Sequence, residues 1–254
     1  MDEKTSRLTD LRSAILFITI LPAGKNVAYS PMGMIRFFPV VGLIIGALLV
    51  LFDLGVSHLW ASPVAALLDL LFLVAVTGAF HLDGLGDTAD GIFSHRSRER
   101  ALEIMKDSRT GMMGLVAVFC GLAVKLAGIW SVKTTGTPLQ ILILLFIVPA
   151  YSRASMIFGI KALNYGRKGE GTGISHFGRP LGWKDFSYCL IPLFFSLFLG
   201  YKGLVLNLLF FMGVGLILLF YKKKMNCITG DMLGAMNEVL EAILFLGAGA
   251  ALVF

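Results

Sequence analysis

Charge is what this chain has least of. Only 15% of its 254 residues are Asp, Glu, Lys or Arg, while 57% are hydrophobic; a soluble domain carries about 25% charged residues. With a mean hydropathy of +0.82, such a chain cannot cover a water-facing surface, which excludes an ordinary soluble enzyme. Cysteine is also scarce: Cys120, Cys189 and Cys227 are scattered with no CxxC pair, which excludes a thiolate zinc site and a disulfide framework. No cleavable signal peptide is evident, because the opening MDEKTSRLTDLRS is mixed in charge and the apolar stretch 14–21 ends at Pro22 without a small-residue cleavage pattern. Walker A spacing, low-complexity tracts and internal repeats are missing too. Residues 1–254 therefore read as a single integral-membrane domain.

What is present is a series of long apolar runs. Residues 37–54, 63–80, 112–132, 138–160, 186–200, 204–221 and 240–254 predict about seven transmembrane helices, six to eight, in an all-α polytopic protein. The stretch 14–21 is too short to span and reads as interfacial or re-entrant. With the N-terminus placed in the cytoplasm, eighteen of the 22 Lys and Arg fall inside, two (Lys133 and Lys202) outside, and two (Lys125 and Arg153) within spans. The positive-inside rule then orients the chain and puts its polar motifs on the cytoplasmic face of the cell membrane. The net charge of +6 is thus spent facing a lipid bilayer, and no nucleic-acid partner is expected.

The polar motifs centre on residues 81–111, HLDGLGDTADGIFSHRSRERALEIMKDSRTG. As the preceding helix continues, Asp83, Asp87 and Asp90 share one stripe at the end of an apolar segment. Three carboxylates that close repel one another unless a cation lies between them, and hard oxygen ligands suit Mg²⁺ or Mn²⁺. Arg96, Arg98, Arg100, Lys106 and Arg109 follow, suited to an anionic substrate. A solvated loop with Asp caps and Gly turns is the bland alternative, disfavoured because the stripe abuts a hydrophobic segment. A second stretch, KALNYGRKGEGTGISHFGRPLG (161–182), combines six glycines with Arg167 and Lys168, a composition that can approach phosphate through amides and side chains or simply face anionic lipid. A third, MNCITGDMLGAMNEVLE (225–241), places Asp231 and Glu238 on one helix face with Glu241 a turn further, either as a second carboxylate group or as an acidic helix start. Asp69 and Arg153 lie inside spans, where a charge faces the bundle interior. Asp69, fourteen residues before Asp83, is expected on the same face.

These pieces in this order resemble the cobalamin synthase family, the adenosylcobinamide-GDP ribazoletransferases. The likeness rests on HLDGLGDTADG (81–91), ALEIMKDSRTGMMG (101–114) and ITGDMLGAMNEVLE (228–241) and extends over the whole chain length. Gly86 stands where the family commonly has Ala, a small-for-small difference. Membrane CDP-alcohol phosphotransferases also use an Asp-rich DG motif, but their DGxxAR arrangement is absent here. The resemblance implies an enzyme of cobalamin biosynthesis in which a ribose hydroxyl of α-ribazole, or of its 5′-phosphate, attacks the cobinamide-side phosphorus of adenosylcobinamide-GDP, and GMP leaves. It also implies Mg²⁺ dependence. Asp83, Asp87 and Asp90 are the expected metal ligands, and one of them, or Asp231 or Glu238, the proton acceptor. Lys106, Arg109, Arg153, Arg167 and Lys168, with Glu241, are expected around the substrates. A homo-oligomer or a complex with pathway partners stays open. The rival readings are a lipid-headgroup phosphotransferase, which uses the same metal logic, and a cation transporter, which the clustering of acids at one face disfavours.

Overall fold

The computed structural model describes residues 6–107, 109–167 and 172–250. Among them the chain is helical. The helices are α1 (Arg7–Ile18), a single turn α2 (Pro31–Met34), α3 (Phe38–Leu59), α4 (Ser62–Val76), α5 (Phe80–Ile92), α6 (Arg98–Ile104), α7 (Met112–Thr135), α8 (Pro138–Ala162), α9 (Leu190–Ser196), α10 (Tyr201–Lys224) and α11 (Gly230–Ala248), joined by short 3₁₀ turns. The helices start where local chemistry favours it. Ser6 and Thr137 cap α1 and α8 through their hydroxyls, Thr229 caps α11, and α3, α4 and α8 carry Pro in their first turn.

Four segments are long and apolar enough to cross a membrane: Pro31–Leu59, Met112–Thr135, Pro138–Ala162 and Tyr201–Lys224. The helical membrane architecture is as expected, whereas three of the seven anticipated spans take other forms. The run 63–80 breaks: Gly78 and Ala79 both adopt φ of +58°, and α4 and α5 meet at a bend of 87°, so the pair counts as a fifth crossing only if taken as one broken span. The run 186–200 becomes a 3₁₀ turn (Trp183–Cys189), the seven-residue α9 and a second 3₁₀ turn (Leu197–Leu199) ending at Gly200 with φ +59°, so it is not among the four long single helices. The last helix begins at Gly230 rather than near 240 and so includes Asp231, Glu238 and Glu241; residues 251–254 lie outside the described part. The apolar stretch 14–21 is mostly the second half of α1.

α11 is the hub, packed against α5, α7, α8 and α10, and it is buried nearly all round. α3 lies closest to α8, where a Cβ on Gly46 would sit 2.0 Å from the Phe146 carbonyl oxygen. That approach is open only to glycine.

Candidate active site

The α4–α5 break positions the site. Because the chain turns at Gly78–Ala79, α5 does not continue α4 but runs between α7 and α11. The motif's glycines serve this packing rather than turns. A Cβ on Gly84 would meet the Asp231 carbonyl oxygen at 2.8 Å, and one on Gly234 would lie 3.3 Å from the His81 Cα. Asp83, Asp87 and Asp90 do share one helix: Asp83 is exposed, and Asp87 and Asp90 are half-buried. Asp69 leaves their face altogether. It pairs at 2.9 Å with Lys133 near the C-terminal end of α7, and Lys133 also meets Asp53. Asp90 instead accepts from the Gly111 and Gly114 amides (2.6 and 2.8 Å) at the opposite end of that helix. Twenty-four residues, or about 36 Å of helix, separate the two ends.

Asp90 thereby caps α7, which has no side-chain cap of its own. Negative charge is welcome at a helix N-terminus. Asp83, Asp90, Asp231 and Arg167 all lie close enough to Asp87 to act on its charge, so several carboxylates crowd one cationic side chain.

A short bridge brings the other two motifs in. The Gly166 amide donates to the Ile228 carbonyl (2.9 Å) and the Ile228 amide to the Asn164 carbonyl (2.9 Å), pairing Tyr165 with Ile228 in parallel. This holds the glycine-rich loop against the start of α11. Arg167 Nη2 then donates to Asp231 Oδ2 at 2.5 Å and to the Met105 carbonyl just after α6 at 3.1 Å. Three stretches far apart in sequence thus meet at one guanidinium. They open onto a cleft of about 790 Å³, including its mouth, with Asp83, Asp231 and Arg167 on its polar side and Phe17, Phe38, Phe80, Tyr165 and His176 on its aromatic side.

Several expected site residues lie elsewhere. Arg153, expected either to pair with an acid or to reach phosphate, is buried in the bundle and paired with Glu241, which also takes a hydrogen bond from Ser152 (2.8 Å). Lys125 completes the group, 2.5 Å from Glu238 and 3.1 Å from Glu241. Two acids and two bases neutralise one another there, as charges inside a bundle must. Glu238 and Glu241 therefore face this network rather than the cleft. Lys106 and Arg109 are exposed beyond α6; Arg109 binds Asp107 (2.6 Å), and those hydrogen bonds hold the Asp107 carboxyl down to about 2. Lys168 lies outside the described residues.

Two histidines also line the cleft: His81, which beside the aspartate stripe reads equally as a ligand or a surface imidazole, and His176, which nothing in the sequence singles out. His81 is buried and receives a hydrogen bond on Nδ1 from Asn237 Nδ2 (3.2 Å), which leaves the proton on Nε2. His176 is 3% exposed, and its ring packs on Phe17 with centroids 5.0 Å apart. Its Nδ1 lies 3.2 Å from the Gly173 carbonyl, which can only accept, so Nδ1 bears the proton and Nε2 the lone pair. Burial depresses the His176 imidazolium to about 4, so the ring is neutral near pH 7. Neither Nε2 has a partner among the described residues.

All the carboxylates at the polar side are hard oxygen donors, the chemistry Mg²⁺ selects. Among the described residues no three His, Cys, Asp or Glu side chains converge tightly enough to hold a metal ion unaided. The donor set thus fits an ion held by one or two carboxylates and completed by water and substrate phosphate, the usual mode for Mg²⁺.

The cobalamin-5-phosphate synthase family model matches residues 10–249. A Clostridium botulinum (strain Loch Maree / Type A3) protein named adenosylcobinamide-GDP ribazoletransferase is 34% identical over 253 residues, covering 95% of this chain and 97% of that protein. Proteins of the same name from Alkaliphilus metalliredigens and Acetivibrio thermocellus are 36% identical over 246 and 217 residues, covering 93% and 82% of this chain and 96% and 84% of their own. No solved structure matches.

Proposed function

The chain belongs to the cobalamin-5-phosphate synthase family, and from that premise we propose that its cleft carries out the ribazole transfer for which its relatives are named. A ribose hydroxyl of α-ribazole, or of α-ribazole 5′-phosphate, forms a new P–O bond to the cobinamide-side phosphorus of adenosylcobinamide-GDP. The diphosphate P–O bond breaks, GMP leaves, and adenosylcobalamin or its 5′-phosphate results. The observation that carries this reading is the convergence of Asp83 of α5, Arg167 and the N-terminus of α11 on one cleft, with Asp87 close enough to feel their charges.

Transfer of this kind depends on positioning and charge neutralisation rather than on a covalent nucleophile. Asp83 and Asp87 are the carboxylates that would hold Mg²⁺, while Asp90, whose two oxygens accept from the Gly111 and Gly114 amides, fixes α5 against α7. When bound, the ion supplies positive charge against the diphosphate and the departing GMP. Arg167 is the cation held at the polar side. Its Nη2 is committed to Asp231 and Met105 while its buried Nε lacks a partner among the described residues, so the head is oriented with a donor to spare for phosphate. Asp231, fixed by Arg167 and Thr229, accepts the proton of the attacking hydroxyl. Lys106, Arg109 and Lys168 supply further positive charge to the anionic substrates as these approach. The lysine and arginine asymmetry supports a cytoplasmic site in a multi-pass cell-membrane enzyme.

The test is GMP release and corrinoid product from purified, detergent-solubilised protein given adenosylcobinamide-GDP and α-ribazole, with and without Mg²⁺. Metal-dependent product is expected. A folded protein that yields none, and instead turns over a CDP-activated lipid, would reassign the site to a lipid headgroup.

A further inference from the structure

The aromatic side of the cleft has no part in the phosphoryl chemistry above, yet it is built with care. Phe17 from α1 packs against both His176 (5.0 Å between centroids) and, edge-on, Phe80 (5.8 Å), while Tyr29 and Ser175 hydrogen-bond at 3.1 Å and tie the segment after α1 to the glycine-rich loop. Within this wall His176 is 97% buried and presents a lone pair with no partner among the described residues. A buried acceptor left unsatisfied is costly, and a ligand hydroxyl is the group that would satisfy it.

We propose that this wall seats the acceptor nucleoside: its flat heteroaromatic ring packs against Phe17, Phe38 and Tyr165, and His176 Nε2 accepts a hydrogen bond from a ribose hydroxyl. The assignment rests on the transferase reading and specifies which substrate fills which side. Two nucleosides compete for the wall. Guanine displays several hydrogen-bonding groups that need polar partners when buried, whereas a glycosylated benzimidazole has no N–H donor and is recognised by shape and stacking. A surface of three phenylalanines and a tyrosine, whose unpartnered polar atoms among the described residues are the Nε2 positions of His81 and His176, fits the benzimidazole. The guanine nucleotide, which carries the negative charge, is left to the side that holds Arg167. Because burial keeps the His176 ring neutral near pH 7, it stays an acceptor throughout turnover.

The experiment uses the full-length protein in detergent. Binding of α-ribazole, followed by its own benzimidazole fluorescence, and KM for each substrate are measured for wild type, His176→Phe, His176→Gln and Phe17→Ala. His176→Phe keeps an aromatic ring and removes the acceptor, and should weaken α-ribazole binding about tenfold, the effect of one hydrogen bond, with KM for adenosylcobinamide-GDP unchanged. His176→Gln carries an acceptor to the same depth and should recover to within about threefold of wild type, which a merely structural histidine would not show. Phe17→Ala should weaken α-ribazole binding as well. Unchanged affinity in both His176→Phe and Phe17→Ala overturns the proposal, as does a wild type that fails to bind α-ribazole. A rise in KM confined to adenosylcobinamide-GDP overturns it in favour of the guanine. Wild type that binds α-ribazole but releases no GMP would instead overturn the transferase reading and leave this one standing.

Discussion

Arg167 and Asp231 lie 64 residues apart in sequence and 2.5 Å apart in space. Their contact joins the glycine-rich loop to α11, and the backbone bridge between Tyr165 and Ile228 makes it possible. Each residue holds the other in place at the cleft. Asp231→Asn should keep the hydrogen bond but lose the proton acceptor, lowering kcat by about 10²-fold or more. Arg167→Lys should lower kcat/KM through the loss of a planar, oriented donor set. Steady-state kinetics on both variants and on the double variant checks this. If the pair acts as one unit, the double variant is far less impaired than the product of the singles.

The three aspartates of α5 should separate in their effects on stability. Asp83 is exposed, so Asp83→Asn should abolish most turnover, by orders of magnitude, while leaving the melting temperature in detergent unchanged. Asp90 accepts from both Gly111 and Gly114, so Asp90→Ala should also destabilise the protein by about 1 kcal/mol, the usual cost of a lost helix cap. Parallel activity and thermal-shift measurements distinguish the two. Near-full activity of Asp83→Asn at saturating Mg²⁺ would remove Asp83 from the metal assignment.

Glu241 is a different kind of residue. It is 1% exposed and serves both Lys125 and Arg153. Glu241→Ala leaves two buried cations short of their counter-charge and should cost about 3–5 kcal/mol, seen as loss of monodisperse protein on extraction. Activity loss in that variant would report folding, not chemistry. Glu241→Gln, which keeps hydrogen-bonding capacity, should be intermediate.

Much of this was legible in the residues, though not all of it. The apolar runs announced a helical membrane protein, and the spacing of Asp83, Asp87 and Asp90 put them on one stripe because helical periodicity needs no knowledge of neighbours. The break before α5 was hidden. Gly78 is unremarkable inside an apolar run, and Ala79 in a left-handed conformation carries no compositional signal. The expectation that Asp69 shares a face with Asp83 failed for that reason alone: it assumed an unbroken helix. Arg153 was recognisable as a charge inside a span, but its partner depended on α11 lying beside α8, which periodicity cannot supply. His176 lies in a loop, where neither spacing nor composition distinguishes a cleft-lining imidazole from a surface one.

Gly84 tests how tightly the site depends on helix packing. The Cβ of Gly84→Ala would fall 2.8 Å from the Asp231 carbonyl oxygen and 3.0 Å from its Cα, against backbone that cannot rotate away. α5 should be pushed off α11, at a cost of about 1–3 kcal/mol. Asp83 would move relative to Asp231, so activity should fall at least tenfold even below the melting transition. Gly215→Ala meets nothing within 4 Å and serves as the control, expected to be silent in both assays.

The buried imidazole of His176 also gives stability a pH dependence. Its folded-state value, about 4, lies below the ordinary 6.5 because burial disfavours the charged ring, so the unfolded chain takes up a proton first as pH falls. The stabilisation from keeping this ring neutral is fully present above about pH 6.5 and is lost progressively as pH drops toward 4, amounting to roughly 3 kcal/mol at most. This contribution to the melting temperature in detergent should therefore decline between pH 7 and pH 5. Carboxylates with depressed values, Asp107 among them, titrate lower and contribute little in that interval. His176→Phe removes the titrating group, so its melting temperature should change less than wild type over the same range. Equal slopes for the two proteins would show that His176 is not buried as a neutral ring, and with that the lone pair assigned to the cleft would be lost.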